Sequence, residues 1–145
     1  MDYIDLLTNP GEAGVFATPR DVRALDDALD RAGFERWRVD LQGVSGKPEL
    51  MRVFQRALGF ADTFGANWDA LHDALSERAL DEPAGVALTL AHCGDVARAQ
   101  GGHFERLVEV LDAVAENCYD EDIPFWVFID GVAAADFDLP RLDEK

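Results

Sequence analysis

The chain has 145 residues, 48% of them apolar, which is enough for one hydrophobic core and close to the usual size of a single domain. Its formal net charge is −16, from 29 acidic and 13 basic side chains. Nucleic acid and anionic membranes are therefore disfavoured as direct partners, because their phosphates would repel this surface. A basic protein partner is favoured instead.

The N-terminal sequence MDYIDLLTNP carries acids where a secretory signal would carry bases, and no apolar run approaches the ~18 residues that a membrane span needs. We therefore expect a cytoplasmic protein that binds no membrane. Cys93 and Cys118 show neither CxxC spacing nor a Cys/His cluster typical of zinc sites. We expect them to be reduced structural thiols, and we expect neither a metal nor another cofactor.

The first third of the chain alternates between strand and helix patterns. A short strand at 14–17 leads into a helix for which Thr18 is the predicted N-cap, Pro19 the first residue and Gly33 the stop. Residues 36–41 then alternate with period two, which predicts a half-buried strand. Its inward side chains are Trp37, Val39 and Leu41.

The same alternation continues towards the C-terminus. Pro48 begins a helix that ends near Gly59, and its apolar positions are Leu50, Val53, Phe54, Ala57 and Leu58. A further helix follows, then a central strand at 85–91, a long helix from about Gly102, and a last strand at 125–129 that is apolar throughout and so buried on both faces. This order predicts an α/β fold with a small, mainly parallel sheet flanked by helices.

The stretch FGANWDALHDAL, residues 64–75, places two aspartates on one turn of an otherwise core-forming helix. Asn67 is the predicted N-cap, and Gly65 allows a sharp turn into the helix. At about 100° per residue, one narrow arc is apolar and must be buried. It comprises Trp68, Leu71 and Leu75. The outward arc comprises Asp69, His72, Asp73 and Ser76.

Three interpretations of this outward arc remain open from the residues alone. In the first, Asp69 stabilises the helix by ~0.3–1 kcal/mol through its interaction with the helix dipole, and Asp73 is an ordinary solvent-exposed residue. Asp69, His72 and Asp73 could ligate a metal ion at i, i+3 and i+4, although no second ligand cluster and no GxSxG, HExxH or P-loop motif accompanies them. The third interpretation is a protein-binding face, where a cationic pocket neutralises two carboxylates that otherwise repel each other.

The segment resembles the barstar family of ribonuclease inhibitors, whose pattern at this helix is aromatic-Gly-x-Asn-x-Asp-Ala-Leu-x-Asp-x-Leu. Residues 64–75 match every fixed position, and the order of elements agrees over about residues 37–129. The resemblance implies a barstar-like domain at 37–131. Residues 1–36 are then an added N-terminal strand–helix layer packed on that domain, and residues 132–145 are an acidic C-terminal tail, which we expect to be loosely attached.

The resemblance also implies a function without catalysis. The chain would be an immunity protein or antitoxin whose helix blocks the active site of a basic ribonuclease or related toxin. Asp73 would be the principal phosphate mimic and Asp69 its neighbour, while Thr63 and His72 stand where the family has aromatic side chains. The candidate partner-binding residues are Thr63, Asn67, Asp69, His72, Asp73 and Asp112. The last would supply the acid of the family's later helix, unless the alignment slips by one residue to Ala113.

An alternative from another class is a barstar-like scaffold that binds a non-nuclease partner. In that case the helix pattern serves folding, and the added N-terminal layer or the acidic tail carries the interaction.

Overall fold

The computed structural model describes residues 3–142 and contains a four-stranded, wholly parallel sheet in the order β1-β4-β3-β2. The strands are β1 (Val15–Ala17), β2 (Glu35–Asp40), β3 (Val86–Ala91) and β4 (Phe125–Ile129). The predicted α/β class, the central place of β3 and the complete burial of β4 are confirmed.

Six α-helices within residues 3–142 flank the sheet. They are α1 (Ile4–Leu7), α2 (Val22–Ala32), α3 (Lys47–Leu58), α4 (Trp68–Ala79), α5 (Gly94–Arg98) and α6 (His103–Asp120), with short 3-10 turns at Pro10–Glu12 and Ala134–Phe137. The sequence patterns did not predict α1 and α5, because helices of 4 and 5 residues are too short to show an apolar period.

The start of α2 differs from the prediction. Thr18 does not cap the helix, because its N–H and its hydroxyl both donate to the carbonyl of Ile129, at 2.9 and 3.1 Å, and so extend the contact between β1 and β4. Asp21 is the N-cap instead, and its carboxylate accepts from the N–H of Ala24 at 3.0 Å. The predicted stop is confirmed, since Gly33 closes the helix in the left-handed region, with φ 77°.

Each face of the sheet has its own apolar cluster. One lies under α3, α4 and α6 and includes Phe54, Leu71 and Phe104, all fully buried. On α3, Met51 is buried and the predicted Ala57 is exposed, so the apolar stripe is slightly rotated from the predicted one. The second cluster lies under α1 and α2. It comprises Tyr3, Leu7, Phe16, Leu25, Ala28, Leu29, Phe34, Ala87, Trp126, Phe128 and Leu142.

The C-terminal segment is attached to the domain, contrary to the expectation of a loose tail. The carbonyl of Pro140 accepts from the N–H of Ala17 at 2.8 Å, beside an isolated parallel bridge between Ala17 and Arg141. Leu139 and Leu142 are buried, so this charged segment is attached by two apolar side chains. Residues 143–145 of the predicted tail, and residues 1 and 2 of the predicted N-terminal layer, lie outside the described residues.

Both cysteines are free and buried. Burial raises the pKa of the Cys93 thiol to about 12 and that of Cys118 to about 11, so both are protonated at neutral pH. Within residues 3–142, every helix is too short or too polar to cross a membrane.

Candidate functional site

The loop before α4 is drawn tightly onto the first turn of the helix. Asn67 is the N-cap, as predicted, and its side-chain oxygen accepts from the N–H of Ala70 at 2.8 Å. The sharp turn is made by Ala66, whose φ is 52°, and not by Gly65 as predicted. Gly65 serves close approach instead, because a Cβ there would lie 3.3 Å from the Cβ of Ala70.

Removing this N-cap should measurably lower the stability of the protein. We expect Asn67→Ala to lower the free energy of unfolding by about 1 kcal/mol, because the N–H of Ala70 loses its acceptor. Urea titration followed by circular dichroism measures this loss. Asn67→Ser is the control, since serine also caps and should retain all but a few tenths of a kcal/mol. An equal loss in both variants would show that Asn67 acts through something other than capping.

The helix then turns its two aspartates to solvent. Leu71 and Leu75 are fully buried where α4 packs along α6, and Trp68 is half-buried with Lys47 Nζ 6.0 Å from its ring centroid. Asp69 and Asp73 are exposed, and 73% of the Asp73 side chain is accessible. In the part of the chain from 3 to 142, no arginine or lysine pairs with either carboxylate.

His72 lies between the two aspartates and reaches across to α6. Its Nδ1 is 3.1 Å from Oδ1 of Asp73, and its Nε2 is 3.1 Å from Nδ2 of Asn117. Sequence reasoning missed Asn117, because nothing in the local pattern marks a residue 45 positions away as a neighbour of His72. The imidazole therefore connects the two helices at the centre of the acidic face.

Thr63 and Asp73 line the same open hollow, of about 480 Å³, beside the half-buried rings of Phe60 and Phe64. Its other carboxylates are Glu77 and Asp81. The one cation in its lining, Arg78, is already engaged: its guanidinium donates to the carbonyls of Leu58 and Gly59 and lies 5.6 Å from the centroid of the Phe60 ring. The hollow is thus left with a negative lining.

The structure does not bring Asp112 to this face. Its carboxylate points to the other side of α6, towards Gly14 and β1. Partial burial there raises the pKa of the Asp112 carboxyl, as does the charge of Glu116, while a hydrogen bond from the N–H of Val15 opposes them.

Ala113, unlike Asp112, lines a small hollow that Asp69 and His72 also line. A slip of one residue turns a helix by about 100°, which is the difference between these two sides. The acid that lines this hollow from α6 is Glu109, paired with Arg106 at 3.1 Å. The structure thus groups Thr63, Asp69, His72 and Asp73 around the start and middle of α4 and leaves Asp112 apart.

The metal-binding interpretation gains no support from the geometry. Across the described residues, no three His, Cys, Asp or Glu side chains are placed to hold a metal ion. Asp69, His72 and Asp73 in particular do not converge on one point, since the imidazole of His72 is directed at Asp73 and Asn117.

Comparison with known proteins gives one family. The model described as "Barstar (barnase inhibitor)" matches residues 34–130, which is more than half of the chain. The match spans β2 to β4 and contains all of α3, α4 and α6, while β1, α1 and α2 precede it. A search of curated proteins found no match.

Proposed function

The chain belongs to the barstar family of barnase inhibitors, and from that premise we propose that it blocks a basic ribonuclease by seating α4 in the enzyme's phosphate-binding cleft. One observation supports this most directly. The carboxylates of Asp69 and Asp73 are exposed one helical turn apart, and no arginine or lysine within residues 3–142 pairs with them, while the imidazole of His72 lies 3.1 Å from Asp73.

Two carboxylates at this spacing can replace two substrate phosphates in the grip of arginine, lysine and histidine side chains. Their mutual repulsion costs a few tenths of a kcal/mol in the free protein and is relieved when the partner's cations arrive. The capped helix also presents them with little conformational entropy left to lose.

The wider charge pattern supports a basic partner. Residues 59–82 carry six acidic side chains and one basic one, Arg78, which is held by backbone carbonyls. Such a face attracts a cationic enzyme from a distance and raises the association rate at low salt. The barnase–barstar complex is itself a documented example of this steering.

The chain departs from the family pattern at two positions of this face. Thr63 and His72 replace aromatic side chains, and large aromatic residues usually carry much of the energy of an interface. We therefore expect this inhibitor to bind barnase less tightly than it binds its own target. We also propose that it acts inside the cell, as an immunity protein or antitoxin that keeps a toxic ribonuclease inactive.

The test is a titration of the chain into basic secreted ribonucleases, with barnase and any ribonuclease encoded beside this chain among them. Cleavage of a fluorogenic RNA substrate reports activity. We expect at least one enzyme to lose activity at a one-to-one ratio, with inhibition that weakens as salt rises. Unchanged cleavage by every enzyme at micromolar inhibitor would overturn the proposal and favour the scaffold with a non-nuclease partner.

A further inference from the structure

The contact between His72 and Asp73 is unusual for neighbours on a helix. Side chains one residue apart diverge by about 100° around the helix axis and do not normally face each other. Here Nδ1 of His72 lies 3.1 Å from Oδ1 of Asp73, which requires the imidazole to be turned along the helix surface and kept there. The side chain of His72 is only 26% exposed, so it is held in place by its surroundings.

Asn117 of α6 keeps the imidazole of His72 in this orientation. Its Nδ2 lies 3.1 Å from Nε2 of His72, on the opposite side of the ring from Asp73. The ring itself lies in the hollow with Trp68, Val110 and Ala113. The charged groups that line the same hollow are Asp69 from α4 and Arg106 and Glu109 from α6, and the last two pair with each other.

One neutral form of the imidazole satisfies both contacts. The amide of Asn117 can donate only to an Nε2 that carries no proton, and the single proton is then on Nδ1. The Nδ1–H group in turn donates to the carboxylate of Asp73. A proton on Nε2 would instead face the amide hydrogens of Asn117 and break the chain of hydrogen bonds.

We propose that Asn117 and His72 form a positioning pair that fixes the carboxylate of Asp73 for recognition by the partner's cations. The role in recognition rests on the proposed function, whereas the hydrogen-bond chain is a property of the free protein. An exposed carboxylate otherwise samples several rotamers, and the bond to Oδ1 leaves Oδ2 and the outer lone pairs free for a partner. His72 thus gives orientation where the family's aromatic residue would give contact area.

The first experiment determines the histidine tautomer by two-bond ¹H–¹⁵N correlation spectra of the uniformly labelled full chain. We expect His72 to be the Nδ1–H tautomer at neutral pH. In the isosteric variant Asn117→Asp, the new carboxylate can only accept, so Nε2 should carry a proton as well and the signal of an unprotonated Nε2 should be lost. His92 and His103 serve as references, and their signals should not move. A wild-type Nε2–H tautomer, or no change in Asn117→Asp, would overturn the positioning pair.

The second experiment measures recognition, with barnase as the probe, or with the inhibited ribonuclease of the panel if barnase itself is not inhibited. Asn117→Ala should weaken inhibition by about three- to tenfold, because binding must then immobilise the Asp73 side chain. The control is Gln42→Ala, which removes an exposed side chain that makes no hydrogen bond within residues 3–142 and should leave inhibition unchanged. Thermal unfolding of both variants checks that the fold is retained.

The outcomes separate the two proposals. A wild-type Nδ1–H tautomer with inhibition unaffected by Asn117→Ala would overturn the role of the pair in recognition while leaving the inhibitor function intact. If no ribonuclease is inhibited, the proposed function fails on that result, and the spectra alone still decide whether the pair holds Asp73.

Discussion

A chain that begins at Phe34, where the family match begins, is expected not to fold cooperatively. The deletion removes α1, β1 and α2, which form one wall of the second apolar cluster. Trp126 and Phe128 of β4, at 0% and 1% exposure, would lose their cover and face water. The added layer is therefore expected to be part of the core and more than an accessory to it.

The free energy lost with this apolar cover is large compared with the stability of a whole domain. Burying a large apolar side chain contributes about 1.5–3 kcal/mol, and removing Phe or Trp from a core costs about 3–5 kcal/mol. Exposing Trp126 and Phe128 while also losing Phe16, Leu25 and Leu29 approaches or exceeds the ~5–15 kcal/mol that stabilises a whole domain.

Urea titration followed by circular dichroism and tryptophan fluorescence measures the effect. The matched control is Asp27→Ala in the full chain, which breaks an exposed i,i+4 pair with Arg31 on the outer side of α2. It should cost no more than about 0.5 kcal/mol. A truncated chain with a cooperative transition near that of the full chain would show that residues 34–145 fold alone, and the predicted N-terminal layer would then be dispensable.

Local periodicity accounts for what could be predicted. The alternation in 36–41 and the apolar stripe of α4 are repeated over several residues, so they identify both the element and its buried side. The N-cap at Asn67 is equally local, since its acceptor and the donated N–H are three residues apart. These parts of the fold and of the acidic face need no knowledge of the rest of the chain.

Where the structure differs from the sequence-based predictions, the cause is a contact between residues far apart in the chain. Thr18 has the side chain of a good N-cap, but it is engaged by Ile129, a residue 111 positions away. The partner of His72 is likewise on another helix, at Asn117. For Asp112, the family pattern indicated the helix but not its rotation, and the structure places the carboxylate on the side of α6 that faces Gly14 and β1. Which distant side chains meet depends on packing, which a local pattern does not record.

Asp73→Ala is expected to weaken inhibition of the target ribonuclease by about 2–5 kcal/mol, or roughly thirty- to several-thousand-fold. The carboxylate is held towards solvent at the centre of the acidic face, so the partner's cations would close around it. Removing it leaves those cations buried without a counter-charge, and most of the loss should appear as faster dissociation. Stopped-flow or surface-binding kinetics on barnase and on the panel of ribonucleases measures this.

Two further variants separate charge from orientation. Asp73→Asn keeps an oxygen that can accept from Nδ1–H of His72 but removes the charge, so it should lose most of the same affinity if electrostatics dominates. Asp5→Ala makes the same change in net charge, but on α1 at the opposite face of the sheet. It should lower the affinity only slightly, because salt screens the attraction between distant charges. Suppose that Asp73→Ala lowers the binding free energy by no more than Asp5→Ala does. No partner cation could then be buried against the carboxylate of Asp73, and α4 would not enter the enzyme's cleft.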